Sequence, residues 1–334
     1  MSFQTYLSRN SKRINQLVAD YYGRHSNPDI SQYLYEPLAL FSANGGKRHR
    51  PLICELACLA VGGDRQRSHS AASAIEHFHT AALIHDDIAD DSQLRRGQPC
   101  LHRVIGNELA INAGDLALSQ VTGLVLEDEI LDDATKLRVL GELVSMTTRT
   151  IEGQALDLGW TRDGRYDLTI DDYLMMATLK TAYYSGGTPL AVGAIVGGGS
   201  EQQIEALRSY GIAAGLAFQI QDDILNLTGK KSAMKKDYRS DITEGKRTLM
   251  VIHALLHSDQ SSELRDILSS KTDDADALER AVQILDKSGS LAYARQYAME
   301  LVRQAKLELP QALPPSRHAD LLLSMADFFV ERMS

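Results

Sequence analysis

The run SHSAASAIEHFHTAALIHDDIADD at residues 68–91 decides how the chain is read. From Ser68 to His85 its apolar residues recur at spacings of three and four and alanine is abundant, the pattern of an α-helix with a face toward a core. The same period returns over residues 136–151, 204–227 and 278–307, while strand signals are poor. Only 8 prolines occur in 334 residues. The long stretches between them permit uninterrupted helices, since an interior proline removes a hydrogen bond and clashes with the preceding turn. Turn chemistry is dense at residues 44–46, 62–64, 160–167, 197–199 and 229–245, yet none of these has the composition of an interdomain linker. With no fixed-period repeat, the pattern predicts an all-α fold, a single domain over residues 1–334.

Hydrophobic residues make up 44% of the chain and charged residues 24%, enough apolar material for a sizeable core and unlike a disordered polypeptide. The formal charge of -9 and pI near 5.6 exclude a nucleic-acid binder that relies on neutralising phosphates, so any anionic substrate must be captured by local chemistry. Cys54, Cys58 and Cys100 support neither a disulfide framework nor a zinc site, and a cytoplasmic setting is expected. The amino terminus has no apolar core of a signal peptide, and the apolar stretch 190–199 is too short and glycine-rich to span a bilayer. No integral membrane segment is expected.

The helix of residues 68–85 runs into acids. Asp86 and Asp90 are four apart and share one face, with Asp87 about 100° round, which lets the carboxylates converge on hard cations. Magnesium suits them, because it takes a few carboxylate oxygens and completes its shell with water and substrate phosphate. An isolated acidic helix end is ordinarily a solvated face. Here a second cluster, Asp222 and Asp223 with Asn226 at the same offset, ends another apolar helix, and charges in that position need a cation or partner to offset desolvation. By contrast, Asp171 and Asp172 after Thr169, and Asp132 and Asp133 before Ala134, lack a third acid and read as helix-start residues.

Cations stand beside both clusters. Arg95 and Arg96 follow the first, Lys47, Arg48 and Arg50 lie in GGKRHRP, Lys180 precedes Thr181, and Lys236 and Lys246 flank the loop after the second. Any one of these alone reads as surface charge. Together, in an acidic chain, they suggest a diphosphate held between metals and guanidinium or ammonium groups.

At this point GGKRHRP (45–51), HTAALIHDDIADDSQLRRG (79–97), LysThr (180–181), FQIQDDILN (218–226) and SDITEGKRTL (240–249) resemble, in order and spacing, the trans-isoprenyl diphosphate synthases, or polyprenyl synthetases. The resemblance implies the isoprenoid synthase fold, a bundle of long helices around a central cavity, and a homodimer. It also implies a head-to-tail prenyl transfer, in which an allylic diphosphate ionises and the alkene of isopentenyl diphosphate attacks the carbocation. Carried over, it makes Asp86, Asp87, Asp90 and Asp222 ligands of three magnesium ions, with Lys180 also catalytic. Arg95, Lys180 and Lys236 would hold the allylic diphosphate, Lys246 contacting the same leaving group; Lys47, Arg50, His79 and Arg96 would hold isopentenyl diphosphate. Thr181 and Gln219 belong to the same substrate site by their motifs.

The physical chemistry is compatible with that division. Cleaving a carbon–oxygen bond to a cation needs stabilisation of the departing pyrophosphate, which metals and lysines supply electrostatically without a protein nucleophile. No side chain in the motifs is an obvious general base, so the released pyrophosphate is the expected proton acceptor. His79 lies seven residues before Asp86 and on its face. A histidine inside an apolar helix is more often a core residue, and here the motif favours diphosphate binding; His85 reads as structural. Two departures stand out: Asn226 supplies a carbonyl but no charge where many members have aspartate, and residues 235–240 lack the usual glycine, leaving Lys235 and Lys236 both open.

Residues four, five and eight before Asp86 are Ala82, Ala81 and Phe78. If the allylic tail runs down this helix, Phe78 lies roughly 12 Å below Asp86, past two small residues, which implies a product of about twenty carbons or longer. The plainer reading has Phe78 packed in the core with the floor supplied by another helix. Two rival functions remain: a class I terpene cyclase, which would need no isopentenyl site, and a non-catalytic partner subunit, which would generally have lost an aspartate motif. Residues 229–245 are a candidate lid over the site.

Overall fold

The computed structural model describes residues 1–23, 25–229 and 238–330, and these are overwhelmingly helical. Along the chain run α1 (Phe3–Asp20), α2 (Glu36–Ala43), α3 (His49–Ala60), α4 (His69–Ala89), α5 (Asn107–Leu126), α6 (Asp133–Arg162), α7 (Ile170–Ala177), α8 (Thr188–Val196), α9 (Glu201–Thr228), α10 (Leu249–His257), α11 (Ser290–Glu308) and α12 (Arg317–Val330). Among the described residues the only strands are Leu94–Arg95 and Gln98–Pro99, a hairpin whose turn residues Arg96 and Gly97 both have positive φ.

The acidic pairs read as helix starts are helix starts. Asp132 caps α6 by accepting the Thr135 amide hydrogen at 2.9 Å. Thr169 and Asp172 form a reciprocal capping box at α7. The helix predicted over residues 68–85 continues to Ala89, with Asp90 at its C-cap. Every residue from Ser70 to Ala81 is buried, so this part of the helix is covered on nearly every side, as expected of a rod whose apolar residues do not keep to one face. The apolar stretch 190–199 forms most of α8 in the core. Among the described residues one helix, α5, is long and apolar enough by length and composition to cross a membrane, which the sequence pattern does not lead one to expect; a third of it is buried within the chain.

What positions the site is a local widening of one helix. Between α7 and α8 the residues Thr178–Gly187 wind as a π-helix, a form that is rare and concentrated at functional sites. Its packing against α6 and α9 requires residues without side chains. A methyl on Gly211 of α9 would land on the carbonyl of Gly186, and one on Gly153 of α6 would land on the backbone of Lys180. This close approach brings Lys180 and Thr181 toward the ends of α4 and α9, where a cavity of about 1730 Å³ opens.

Gly211→Ala is expected to destabilise the protein by roughly 1–3 kcal/mol through overpacking against backbone. Gly159→Ala, where a methyl meets nothing, is expected to leave stability unchanged or raise it. Urea denaturation of the two variants beside the parent checks both; equal midpoints for all three would show that the glycine contact does not limit packing.

Candidate active site

The ends of α4 and α9 and the π segment meet at the cavity. Asp86 and Asp90 line it, one turn apart on α4. Asp87 does not. It is turned away and buried, where its Oδ1 accepts the Arg95 Nε–H at 2.7 Å, so its visible part is to anchor that guanidinium. Among the described residues no three histidine, cysteine or acidic side chains are grouped to hold a metal, and Asp87 stands apart from the cavity that Asp86 and Asp90 line. The cause is the helix itself, which carries Asp87 off the shared face.

Lysines occupy the space between the carboxylates. Lys246 Nζ sits 3.0 and 3.1 Å from the two oxygens of Asp90 and 3.2 Å from Glu244. Lys180 Nζ lies 3.8 Å from Asp86, whose Oδ1 also accepts Gln154 Nε2–H at 3.1 Å. Both lysines share Asp157 Oδ2, at 2.6 Å for Lys180 and 3.5 Å for Lys246. Burial alone would raise the Asp157 carboxyl, but the two lysines outweigh it and bring it down to about 2. Asp86 is likewise held below the ordinary range, against burial, by Lys180, Lys246 and Arg95. Burial and the neighbouring Asp86 raise Asp90 despite Lys246. Burial pulls both lysines down and the acids more than restore them, so each stays charged.

On α9, Asp222 lines the cavity and Asp223 is buried beside it. Asp223 accepts the Tyr173 hydroxyl at 2.8 Å and Gln219 Nε2–H at 2.6 Å, and Gln219 in turn accepts the Thr181 hydroxyl at 2.8 Å. Burial first, then Asp241, pushes the Asp223 carboxyl up to about 8. Asn226 serves as a fastener, its Nδ2 donating to the Ser240 hydroxyl at 3.1 Å and its Oδ1 accepting the Asp241 amide hydrogen at 3.3 Å. The amide thus ties α9 to the short helix Ser240–Thr243 without adding a charge beside Asp241.

The other cations gather at the GGKRHRP turn. Arg48 adopts a left-handed conformation (φ 50°) and is buried, donating to Glu76 of α4, to Asn15 of α1 at 2.9 Å and to Ser42 of α2 at 3.1 Å. That anchoring presents Lys47 and Arg50 to the cavity. The ring of Tyr184, on the π segment, carries the Arg50 guanidinium at 4.7 Å, stacks on His79 at 5.9 Å and meets Phe78 edge-on at 5.7 Å. Lys47 lies 5.9 Å over the Phe328 ring, and Arg96 folds across to the Gly45 carbonyl. Burial lowers Arg96 to about 10 and, with Arg50, holds His79 well below its ordinary value, so that imidazole is neutral.

Phe78 and Ala82 line the cavity, but Ala81 does not; it packs with Leu38, Phe41, Ala110 and Ala113 on the opposite side of α4. The expected path along Ala82, Ala81 and Phe78 is corrected at that one position, since consecutive helix residues diverge by about 100°. Lys235, Lys236 and the rest of residues 230–237, part of the lid expected at 229–245, lie outside the described residues. Residues of the site that carry no motif signal include Asp157, Gln154, Glu76 and Tyr184. Asp157 alone among them is marked by its position, since it falls on the core-facing series Met146, Thr150, Gly153, Asp157, Trp160 of α6, where an acid is out of place unless paired.

The donor set fits a hard divalent cation. Asp86, Asp90, Asp157, Asp222, Asp241 and Glu244 line one cavity, and among the described residues no cysteine does. Carboxylates outnumber the lysines between them.

The Polyprenyl synthetase family profile matches residues 31–285. The chain is 40% identical over 288 residues to the short chain isoprenyl diphosphate synthase of Methanothermobacter thermautotrophicus, covering 86% of this chain and 87% of that one. Its fold superposes on geranylgeranyl pyrophosphate synthetase from Pyrococcus horikoshii with a TM-score of 0.89 and 34% identity over 99% and 98% of the two chains. A geranylgeranyl pyrophosphate synthase from Corynebacterium glutamicum, complexed with isoprenyl diphosphate and magnesium, is similar at a TM-score of 0.85 and 27% identity over 99% and 96%.

Glu76→Gln leaves Arg48 as a buried charge without its counter-ion and is expected to cost roughly 3–5 kcal/mol of stability. Replacing both partners by Met is expected to recover a good part of it. Chemical denaturation measures this, and a single variant as stable as the parent would remove the ion pair as the anchor of the turn.

Proposed function

The chain belongs to the polyprenyl synthetase family, and from that premise we propose that it condenses isopentenyl diphosphate head to tail with an allylic prenyl diphosphate. The allylic carbon–oxygen bond breaks, the isopentenyl alkene forms the new carbon–carbon bond, and a proton leaves with the pyrophosphate. The observation that carries this reading is one cavity lined by two separate sets of cations, Lys180, Lys246 and Arg95 among carboxylates, and Lys47, Arg50 and Arg96 around the turn. Two anionic substrates need two such sets.

Lys180, Lys246 and Arg95 take the allylic diphosphate, with Lys236 as their partner by motif. Lys47, Arg50, Arg96 and the neutral His79 take isopentenyl diphosphate, His79 as a hydrogen-bonding group. Asp86, Asp90 and Asp222 would hold magnesium, three ions in this proposal, while Asp87 holds Arg95. The ions, when bound, supply electrostatic stabilisation of the leaving group. Thr181 and Gln219, tied to Asp223, orient the end of α9 toward the π segment.

Phe78, nearly buried and braced edge-on by Tyr184, supports a floor that stops the chain at about twenty carbons. Purified protein with magnesium, labelled isopentenyl diphosphate and dimethylallyl, geranyl or farnesyl diphosphate is expected to give chelator-sensitive geranylgeranyl diphosphate. Phe78→Ala is expected to shift the product to twenty-five carbons or more. Failure to incorporate label with any starter sinks the synthase reading; an unchanged product from the variant sinks only the floor.

We also propose a homodimer through α5 and α6. Leu137, Val144, Ile151 and Leu158 are exposed at seven-residue intervals on α6, and Ile111 and Leu126 are exposed on α5, an apolar surface too extended for solvent alone. Light scattering is expected to give twice the chain mass of 36.8 kDa, and Val144→Glu is expected to halve it. A parent protein that runs as a monomer overturns the assignment.

A further inference from the structure

We infer that Asp157 is a positioning residue that holds Lys180 away from Asp86 and draws Lys246 part of the way from Asp90, leaving those carboxylates able to accept a divalent cation. The inference rests on the metal-dependent reading above and assigns to one residue of α6 a part that the motifs do not contain.

The distances grade the competition. Lys180 Nζ is 2.6 Å from Asp157 but 3.8 Å from Asp86, so its closer partner of the two is Asp157. Lys246 Nζ stands 3.0 Å from Asp90 and 3.5 Å from Asp157, between two seats. Removing the charge of Asp157 leaves two buried ammonium groups whose nearest carboxylates are Asp86 and Asp90. An unpaired buried charge is costly, so Lys180 closes on Asp86, while Lys246, already at Asp90 and Glu244, loses the pull that draws it off Asp90. A cation arriving there must then displace a lysine from each.

The seat is rigid for reasons visible in the packing. Asp157 is 4% exposed, on the core-facing series of α6 between Gly153 and Trp160. Gly153 lets the backbone of Lys180 lie directly against α6, which sets the reach of the ammonium group to Asp157. The same helix contributes Gln154, whose amide donates to Asp86 at 3.1 Å. One turn of α6 thus holds a hydrogen bond to the carboxylate and a counter-ion for the lysines, and keeps the two apart.

The experiment is manganese binding to the full chain without substrate, followed by electron paramagnetic resonance, with the parent, Asp157→Asn, Lys180→Gln/Lys246→Gln, and the triple variant. Loss of Asp157 is expected to weaken manganese binding about tenfold, a difference of roughly 1.4 kcal/mol. In the background lacking both lysines the same substitution is expected to change binding less than about threefold, because nothing competes for Asp86 and Asp90. Unchanged binding by Asp157→Asn, or an equal effect in both backgrounds, overturns the inference; the second result would mean that Asp157 acts only through its field. Asp157→Ser repeats the test should the amide variant not fold. A parent that binds no manganese removes the metal reading itself and the inference with it, whereas a parent that binds beside an indifferent Asp157→Asn removes the inference alone.

Discussion

Carboxylates brought together out of bulk water repel one another and lose hydration, and the geometry around this cavity follows from meeting that cost. Helices α4 and α9 both end in acids at the same place. The fold answers with buried cations of fixed reach: Arg95 behind Asp87, Lys180 against Asp157, Lys246 shared between Asp90 and Asp157. Those cations come from three other parts of the chain, the hairpin, the π segment and the turn before α10. The acids and their counter-ions therefore tie elements distant in sequence to one wall, and the packing that brings them there, above all the glycine contacts of Gly153 and Gly186, serves the same end.

Tyr184 joins two parts of the cavity that the sequence presents as separate. Its ring bears Arg50 and His79 on the side assigned to isopentenyl diphosphate, and it braces Phe78 on the side assigned to the growing tail. An aromatic ring can do this because its face attracts a guanidinium while its edge and body pack against other rings. The cation set and the floor thereby share contacts with one side chain.

Much of this is legible in the sequence because it rests on local rules. The all-helical fold follows from period and scarce prolines, the caps at Asp132 and Thr169 from the placement of acids at helix starts, and the two acidic clusters from their spacing on apolar helices. What is not legible rests on contacts between distant segments. Spacing alone cannot show that Asp87 turns to Arg95, that Ala81 packs against α5, or that Asn226 fastens Ser240. Nothing local marks Tyr184 as a hub. Asp157 lies between these cases: an acid on a core-facing series is visible, but its partners are not. The π winding of residues 178–187 has no periodic signature and is seen only once α9 is packed against it.

That winding sets the rotational phase of everything after it. Each residue of a regular helix turns the chain by about 100°. A π segment amounts to an extra residue accommodated inside a rod whose two ends stay fixed in the core, α7 at one end and α8 at the other. The length of the stretch from Thr178 to Gly187 is therefore under a constraint unrelated to the chemical identity of its side chains. A relative shorter by one residue there could keep the same rod and every motif letter, yet its lysine and its tyrosine would no longer point at the same wall together. In comparing members of such a family, the count of residues between Lys180 and Pro189 carries information that residue identity does not.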